Sequence, residues 1–329
     1  MTNYIDFHCD VLSKAYMNNK DTIIDTPDAM VNINKLVKAS CLAQFFAIFM
    51  IPKSNNEYYK QQFKKSIPND QEYIEHSFEI MENTIKQAND KIEIAYNFED
   101  LERINNSGKI ASFLTFEDGR AVNGSMEKLE EFYKKGIRLI SLTWNEENCF
   151  GFPNSNDKII MNSGLTDFGK DAIVRMNELG MIVDVSHLSD GGFYDVAKIS
   201  KKPFIASHSN SRVLSPHKRN LTDDMIKILG EKGGVAGINF CGVFLQPDCK
   251  TNISTLDLIV KHIKYIANVG GIETVSIGAD FDGIGGELEI GGCEDMQRLF
   301  EELHRAGFSY DEVDKIAYLN AKRVIKEVL

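Results

Sequence analysis

Short apolar runs alternate with amphipathic segments along the whole chain, and this alternation restricts the fold more than any other feature of the sequence. The apolar runs are rich in β-branched and aromatic residues and predict buried strands: YIDFH, CLAQFFAIFM, IASFLTF, IRLISLTW, MIVDVSH, PFIASH, GVAGINF and TVSIGADF. The segments between them predict helices, several of which open on Ser or Thr and close on Gly, such as SMEKLEEFYKKG and LTDFGKDAIVRMNELG. The repeat of strand and helix predicts an α/β protein.

The number of repeats favours a closed barrel over an open sheet. About eight strand–helix units over 329 residues are typical of a (β/α)8 TIM barrel. No G-x-G-x-x-G turn follows the first strand, as it would in a dinucleotide-binding sheet. No Pro-, Gly- or Ser-rich linker interrupts the pattern, so we expect a single domain over residues 1–329.

Charge and cysteine content exclude several classes of function. The net charge of -11 argues against a nucleic-acid partner, because no basic patch is available to displace phosphate counterions. The sequence shows neither a signal-peptide pattern nor an apolar run of about 20 residues, so we expect a cytoplasmic protein without membrane association. Its six cysteines form no C-x-x-C pair, which favours reduced thiols.

Polar residues stand at the ends of the predicted strands, in HCD, FED, TWN, SHL, SHS and DFD. The carboxyl ends of the strands form the functional face of a barrel. In the first strand the two polar residues are two positions apart, so they share a face. Three imidazoles and three carboxylates should therefore meet at the barrel mouth: His8, His187, His208, Asp10, Glu117 and Asp280. Such a cluster predicts metal ligands.

Each of these residues also has a structural explanation. His8 alone could be a core histidine, Glu117 or Asp280 a helix cap, and His187 or His208 a loop residue. Their recurrence at the strand ends argues against that, because six buried polar groups carry a large desolvation cost unless a cation neutralises them.

The remaining histidines have other positions. His76, His262 and His304 lie within amphipathic helices, among charged neighbours, and we expect them on solvated faces. His217, in SPHKRN, does not follow a predicted strand and is interpreted as a loop residue.

Together the motifs resemble a known family. DFHCD, TFED, VDVSH, ASHSNSR, KRNLTDD and IGADFDG are similar, in order and over nearly the whole chain, to the renal or membrane dipeptidases, peptidase family M19. H-x-D alone occurs in many metal-dependent hydrolase barrels, whereas the whole set is specific. The resemblance implies an amidohydrolase-like TIM barrel and a dipeptidase.

The resemblance also implies a metal site with two divalent ions, expected to be zinc. His8 and Asp10 would bind one ion and His187 and His208 the other, with Glu117 bridging them. A shared carboxylate is physically reasonable, because two dications at close range repel each other.

The mechanism implied is attack of a metal-bridging hydroxide on the peptide bond of a dipeptide, with Asp280 moving a proton to the leaving amine. Asp282 is a weaker candidate for that role. Arg219 matches the position that holds the terminal carboxylate of the substrate. Its structural alternative is a surface arginine that pairs with Asp223 or Asp224.

The sequence departs from the family at one substrate-binding position. Mammalian members have a histidine after the LT of the fourth strand, and this chain has Trp144, in SLTWNEENCFGFP. We expect Trp144 to contact substrate, and the partner of the oxyanion stays open between the metal alone and Asn145.

Three functions are compatible with these residues. The leading one is a zinc-dependent dipeptidase. The others are a related metal-dependent amidase or lactam hydrolase acting on a small carboxylate-bearing substrate, and a non-catalytic binding protein on the same barrel. Arg219 favours the first, and the resemblance suggests a homodimer.

Overall fold

The computed structural model describes residues 1–26 and 28–329. Its strands, in chain order, are β1 (Tyr4–Cys9), β2 (Cys41–Phe49), β3 (Ile92–Ile94), β4 (Ile110–Glu117), β5 (Ile137–Ser141), β6 (Ile182–Asp184), β7 (Ile205–Ala206), β8 (Val235–Ile238), β9 (Ile253–Ser254), β10 (Val275–Ile277) and β11 (Glu287–Leu288). Its α-helices are α1 (Val11–Met17), α2 (Ile33–Lys38), α3 (Asn56–Phe63), α4 (Asp70–Gln87), α5 (Phe98–Asn106), α6 (Met126–Lys135), α7 (Lys158–Asn162), α8 (Asp167–Leu179), α9 (Asp190–Ile199), α10 (Asp223–Glu231), α11 (Gly242–Leu245), α12 (Leu256–Gly270), α13 (Met296–Arg305), α14 (Tyr310–Asp314) and α15 (Asn320–Val328). A turn of π-helix, Lys315–Leu319, joins the last two helices.

Eight parallel strands close into a barrel. The order around it is β2, β1, β10, β8, β7, β6, β5 and β4, and pairing of β2 with β4 closes the ring. That closing ladder runs from Ala43 opposite Ala111 to Phe49 opposite Glu117. The predicted (β/α)8 TIM barrel is confirmed.

Helix caps follow the pattern read from the sequence. Ser125, Thr166 and Thr222 each precede a helix, and each side chain accepts a hydrogen bond from a backbone N–H of the first turn. Gly136 and Gly180 end α6 and α8 with positive φ angles, which glycine adopts without steric cost. The helices therefore begin and end at these residues, and the chain then returns to the amino end of the next strand.

An apolar cluster fills the barrel at the amino ends of the strands, and it is called the inner core below. Seven strands contribute to it, which places it inside the ring. The rings of Phe45 and Phe113 stack with centroids 4.6 Å apart, and Phe7 lies 4.8 Å from Phe45. Residues of α5 and α15 complete the inner core, whose buried members are Ile5, Phe7, Ala43, Phe45, Ala95, Leu101, Ile104, Ala111, Phe113, Leu139, Ile182, Ile205, Val235, Ala321, Val324, Ile325 and Val328.

Two details differ from the sequence prediction. The short strands β3, β9 and β11 were not predicted; β3 pairs with the first residues of β4, and β9 pairs with β11, all outside the barrel ring. The prediction of a solvated face is wrong for His262, which is fully buried on α12. Its Nδ1 accepts the backbone N–H of Ser211 at 3.2 Å and its Nε2 donates to the carbonyl of Leu245 at 3.1 Å. Both ring nitrogens are satisfied, which makes the burial possible.

None of the helices in the described part of the chain is both long enough and apolar enough to cross a membrane.

Candidate metal centre and active site

The structure brings the six ligand-type residues together at the carboxyl end of the barrel. His8 and Glu117 lie within the last two residues of β1 and β4, and the others lie one to three residues beyond the end of a strand. All six are buried: His8, Asp10, Glu117, His187, His208 and Asp280. His187 and Asp280 have φ angles of 68° and 63°, a region that costs free energy for residues other than glycine. Such strain is concentrated at functional sites in proteins.

Glu117 stands at the centre, and its two oxygens face different histidines. Oε1 is 3.0 Å from Nε2 of His187 and 3.5 Å from Nε2 of His208. Oε2 is 3.5 Å from Nε2 of His8, which is itself 3.3 Å from Oδ2 of Asp10. The carboxylate therefore separates the site into two halves and belongs to both.

Burial and mutual charge set the protonation states of this cluster. Burial lowers the pKa of His187 to about 3 and that of His208 well below its usual value. Burial alone would raise the pKa of Glu117, but His8 and the other two histidines outweigh it and hold that pKa well below the usual range. Near neutral pH, Glu117 is ionised and His187 and His208 are neutral, the states in which these groups bind metals.

His8 behaves differently because it lies among carboxylates. Burial acts to lower its pKa, but the charges of Glu117 and Asp10 raise it well above the usual value. In the absence of a metal ion, His8 is thus the cation of the cluster. The same carboxylates would attract a metal ion, which competes with the proton on His8.

The residues fit a divalent cation. Oδ1 of Asp10, beside the ring nitrogen of His8 that faces the cluster, is buried and has no hydrogen-bond partner among the described residues. Unpartnered buried polar atoms carry a free-energy cost that metal coordination would remove. Two sets of ligand atoms each lie within 4.8 Å of one another: one in His8, Glu117 and His208, the other in His8, Asp10 and Asp280. Nitrogen and carboxylate donors of this kind suit zinc. These sets share His8, whereas the sequence predicts that His8 and His208 serve different ions.

The two aspartates of GADFDG occupy different surroundings. Oδ2 of Asp280 accepts a hydrogen bond from Nδ2 of Asn239 at 2.8 Å, and burial raises the pKa of Asp280 to about 6. Both oxygens of Asp282 are engaged, by Lys14 at 3.0 Å and by the backbone amides of residues 30 and 31. Asp282 therefore holds a loop in place, while Asp280 is the one with a near-neutral pKa beside the cluster.

Arg219 is buried next to the ligands and does not lie on the surface. Its guanidinium donates to Oγ of Ser209 at 3.3 Å and to the carbonyl of His208 at 3.2 Å. Its Nε is buried and has no partner in the described part of the chain. The alternative partners, Asp223 and Asp224, bond instead to tyrosine hydroxyls.

A cavity of about 680 Å³ opens above the cluster, and Trp144 and Arg219 line it. The Trp144 ring packs 5.1 Å from that of Phe49 and 5.9 Å from that of His187. Oδ1 of Asn145 lies 3.4 Å from Nδ1 of His187, where it can accept a hydrogen bond and orient the ring.

Sequence reasoning did not assign a role to several other residues that line this cavity, among them Lys14, His217 and Phe244. Lys14 belongs to α1 and pairs with Asp282. His217, interpreted above only as a loop residue, packs its ring 4.7 Å from that of Phe244. No motif signals any of them, because they reach the cavity through loop and helix geometry.

Comparisons with known proteins agree with this architecture. The sequence model described as membrane dipeptidase (peptidase family M19) matches residues 1–329. An uncharacterised protein from the pqqA 5' region of Klebsiella pneumoniae is 35% identical over 256 residues, which cover 76% of this chain and 93% of that protein. A dipeptidase, tcpJ, of Claviceps purpurea is 28% identical over 302 residues, which cover 91% of this chain and 69% of the relative.

A solved structure shares the fold over the full length. It is a metallopeptidase from Rhodobacter sphaeroides, liganded with a phosphinate mimic of the dipeptide L-Ala-D-Ala. The TM-score is 0.88 at 21% sequence identity, with 100% of this chain and 99% of the other covered.

Proposed function

The chain belongs to the membrane dipeptidase family, peptidase family M19, and is a hydrolase of the metallo-dipeptidase type, and from this premise we propose that it hydrolyses dipeptides with the help of two zinc ions. The observation that carries the proposal is the placement of Glu117. One of its oxygens faces His187 and His208, and the other faces His8. A carboxylate in this position can neutralise two neighbouring cations at once.

The metal centre would be held by His8, Asp10, Glu117, His187 and His208. Two zinc ions, when bound, supply an activated water and a Lewis acid that polarises the scissile carbonyl. The chain itself contributes a buried set of ligands whose protonation near neutral pH already suits metal binding.

Asp280 is proposed as the group that moves the proton. A general acid or base is most effective when its pKa lies near the working pH, and burial brings the pKa of Asp280 to about 6. The hydrogen bond from Asn239 fixes one of its oxygens, and the other lies 3.7 Å from Nε2 of His8. Asp280 can therefore take a proton at the metal centre and deliver it to the leaving amine.

Arg219 is proposed to bind the terminal carboxylate of the substrate. Its guanidinium is buried, lines the cavity and has an unpartnered Nε, so it can still donate hydrogen bonds to a ligand. A planar guanidinium suits a carboxylate better than an ammonium group does. Recognition of a free carboxylate one residue beyond the scissile bond would restrict substrates to dipeptides.

Trp144 would form an apolar wall opposite this carboxylate site. It is held between Phe49 and His187, so it presents a rigid surface to a substrate side chain. The oxyanion partner stays open between the metal and Asn145. A cytoplasmic location, a homodimer and the absence of membrane or nucleic-acid partners stay predictions from the sequence.

The test compares four peptides: L-Ala-D-Ala, L-Ala-L-Ala, the amidated form of the better of the two, and an alanine tripeptide. L-Ala-D-Ala is included because a mimic of it occupies the related Rhodobacter protein. We expect the free dipeptides to be cleaved and the amidated peptide and tripeptide to be poor substrates. Cleavage of free and amidated dipeptides at equal rates would reject the carboxylate recognition and favour the amidase alternative. Absence of hydrolysis in zinc-loaded protein would favour the binding protein.

Variants of Arg219 refine this test. Arg219→Ala and Arg219→Lys should raise KM for the better free dipeptide, Ala more than Lys, at unchanged metal content. A charged hydrogen bond in a desolvated site contributes on the order of 2 kcal/mol or more. Arg305→Ala is the control, because Arg305 is exposed and its ion pairs within the described residues are with Glu301 and Glu302 on its own helix.

A further inference from the structure

A chain of buried polar groups lies behind His208, on the side away from Glu117. Nδ1 of His208 is 2.7 Å from Oγ of Ser207, and that hydroxyl is 2.5 Å from Oδ2 of Asp184. All three residues are fully buried. Asp184 is the last residue of β6, and Ser207 follows β7, so two neighbouring strands present the chain to the ligand.

Asp184 is held firmly by other donors. Its Oδ1 accepts the backbone N–H groups of Ser186 at 2.9 Å and of Ser207 at 2.8 Å. Its Oδ2 accepts the hydroxyl of Ser141 as well as that of Ser207. Both oxygens therefore act as acceptors, as expected of an ionised carboxylate.

The hydroxyl protons then determine the tautomer of His208. Ser207 has one hydroxyl proton, and its nearest acceptor is Asp184; Oγ of Ser186 is farther away, at 3.4 Å. With that proton committed to Asp184, the Ser207 oxygen accepts from His208, so Nδ1 of His208 carries the ring proton. Its Nε2 then carries a lone pair, and this atom lies 3.0 Å from Nε2 of His187 and 3.5 Å from Oε1 of Glu117.

We propose that Asp184 and Ser207 are positioning residues that hold His208 in the Nδ1–H tautomer and so keep its Nε2 available to a divalent cation. The part that concerns metal affinity rests on the proposed function. The part that concerns the tautomer does not, because it follows from hydrogen bonds within the protein. Groups that orient a metal ligand in this way contribute about 10- to 100-fold to metal affinity.

The barrel contains a matched control for this role. Asp6, in β1, is also fully buried, and its Oδ1 also accepts two backbone N–H groups, those of His8 and Ala279, both at 3.1 Å. Its Oδ2, however, has no partner among the described residues and touches no hydroxyl that reaches a histidine. The substitution Asp6→Asn should therefore leave the tautomer of His208 unchanged.

Asp184→Asn should reverse the direction of the hydrogen bonds that run between residue 184, Ser207 and His208. The amide oxygen would remain with the two backbone N–H groups, and the NH2 group would face Ser207 and donate to it. Ser207 would then donate its own proton to Nδ1 of His208, which moves the ring proton to Nε2. The variant is isosteric, and it converts a metal ligand into the wrong tautomer. Ser207→Ala removes the hydroxyl and serves if Asp184→Asn does not fold.

The experiment has two readouts on wild type, Asp184→Asn, Ser207→Ala and Asp6→Asn. Nitrogen-15 NMR of labelled histidine in metal-free protein reports the tautomer of His208, and competition with a chelator reports the affinity for Zn²⁺. We expect the Nδ1–H tautomer in wild type and Asp6→Asn and the Nε2–H tautomer in Asp184→Asn. Zinc affinity should fall about 10- to 100-fold in Asp184→Asn and Ser207→Ala.

Four outcomes decide between the claims. The Nε2–H tautomer in the wild type, or an unchanged tautomer in Asp184→Asn, overturns the inference. A changed tautomer with unchanged zinc affinity overturns its functional part. An equal loss of affinity in Asp6→Asn shows a general effect of buried amides and also overturns it. If the wild type has the expected tautomer but binds no zinc, the proposed function fails while the assignment of the tautomer holds.

Discussion

The two ends of the barrel use the same strands for opposite purposes. At the amino ends the inner core is entirely apolar, and the phenylalanine rings of β1, β2 and β4 pack against one another inside it. At the carboxyl ends β1, β4, β6, β7 and β10 present three histidines and three carboxylates to one another. β4 shows both, since it contributes Ala111 and Phe113 from its amino half and Glu117 at its last position.

The difference separates stability from chemistry. Apolar burial at the amino end contributes to the free energy of unfolding, roughly in proportion to area. The carboxyl end instead buries charges, which costs free energy in the absence of a cation. Each substitution below should therefore change mainly one of the two properties, stability or turnover.

The largest effect is expected for Glu117→Gln at the carboxyl end. The amide loses the charge that both halves of the site share, so the variant should retain less than one metal ion per chain. Turnover of the better dipeptide should fall about a thousandfold or more, because bound metals supply several kcal/mol of transition-state stabilisation. Elemental analysis measures the metal content and kcat measures the turnover. Normal values of both in the variant would show that Glu117 does not bridge two metal ions.

Phe113→Ala tests the other end of the same strand. Removal of a buried ring from the inner core should lower the free energy of unfolding by about 3–5 kcal/mol, while kcat per folded molecule changes by no more than about twofold. Denaturant unfolding and active-site titration provide the measurement. Val174→Ala is the control, because Val174 is 45% exposed and its loss should cost less than about 0.5 kcal/mol. A large fall in kcat for Phe113→Ala would show that the two ends are not separate.

Asp280→Asn should lower kcat by about a hundredfold and leave metal content unchanged, the usual scale for the loss of a positioned acid or base. Asp282→Asn is its matched partner two residues away. Because Asp282 ties Lys14 and two backbone amides together, its variant should lose stability and keep kcat. The opposite pattern would exchange the roles of the two aspartates.

The smallest effect concerns His262, which is buried outside the ligand group. Burial lowers its pKa to about 4, whereas an unfolded chain binds the proton near pH 6.5. The unfolded state therefore holds more protons between these values, so stability is full above pH 6.5 and falls on acidification by about 1.4 kcal/mol per pH unit until pH 4. His262→Gln should remove this part of the pH dependence between pH 6.5 and 5.5 without a change in kcat. An identical pH dependence in both proteins would contradict it.

The sequence predicted the fold and the placement of the ligand-type residues because both depend on the order of strands. Parallel strands of a barrel end at one face, so a polar residue at each strand end must approach the others. The confirmed barrel follows from the same argument.

What the sequence did not show depends on contacts across the fold. His262 is one of the buried residues of α12, in line with Ile259, Ile263 and Ile266. From the sequence alone a histidine in a helix is expected at the solvated surface, because the backbone groups that bond its ring nitrogens lie in other segments. The difference between Asp280 and Asp282 is similar, because it arises from Asn239 and Lys14 on distant segments. The positive φ of His187 has no signature in the residue type.

The most direct test of the account is a zinc titration of metal-free protein, with bound metal and dipeptide turnover measured on the same samples. The account predicts that activity is absent without metal, rises with added zinc and stops rising at two ions per chain. Full activity in the metal-free protein, or a plateau at one ion per chain, would contradict a centre in which Glu117 serves two cations.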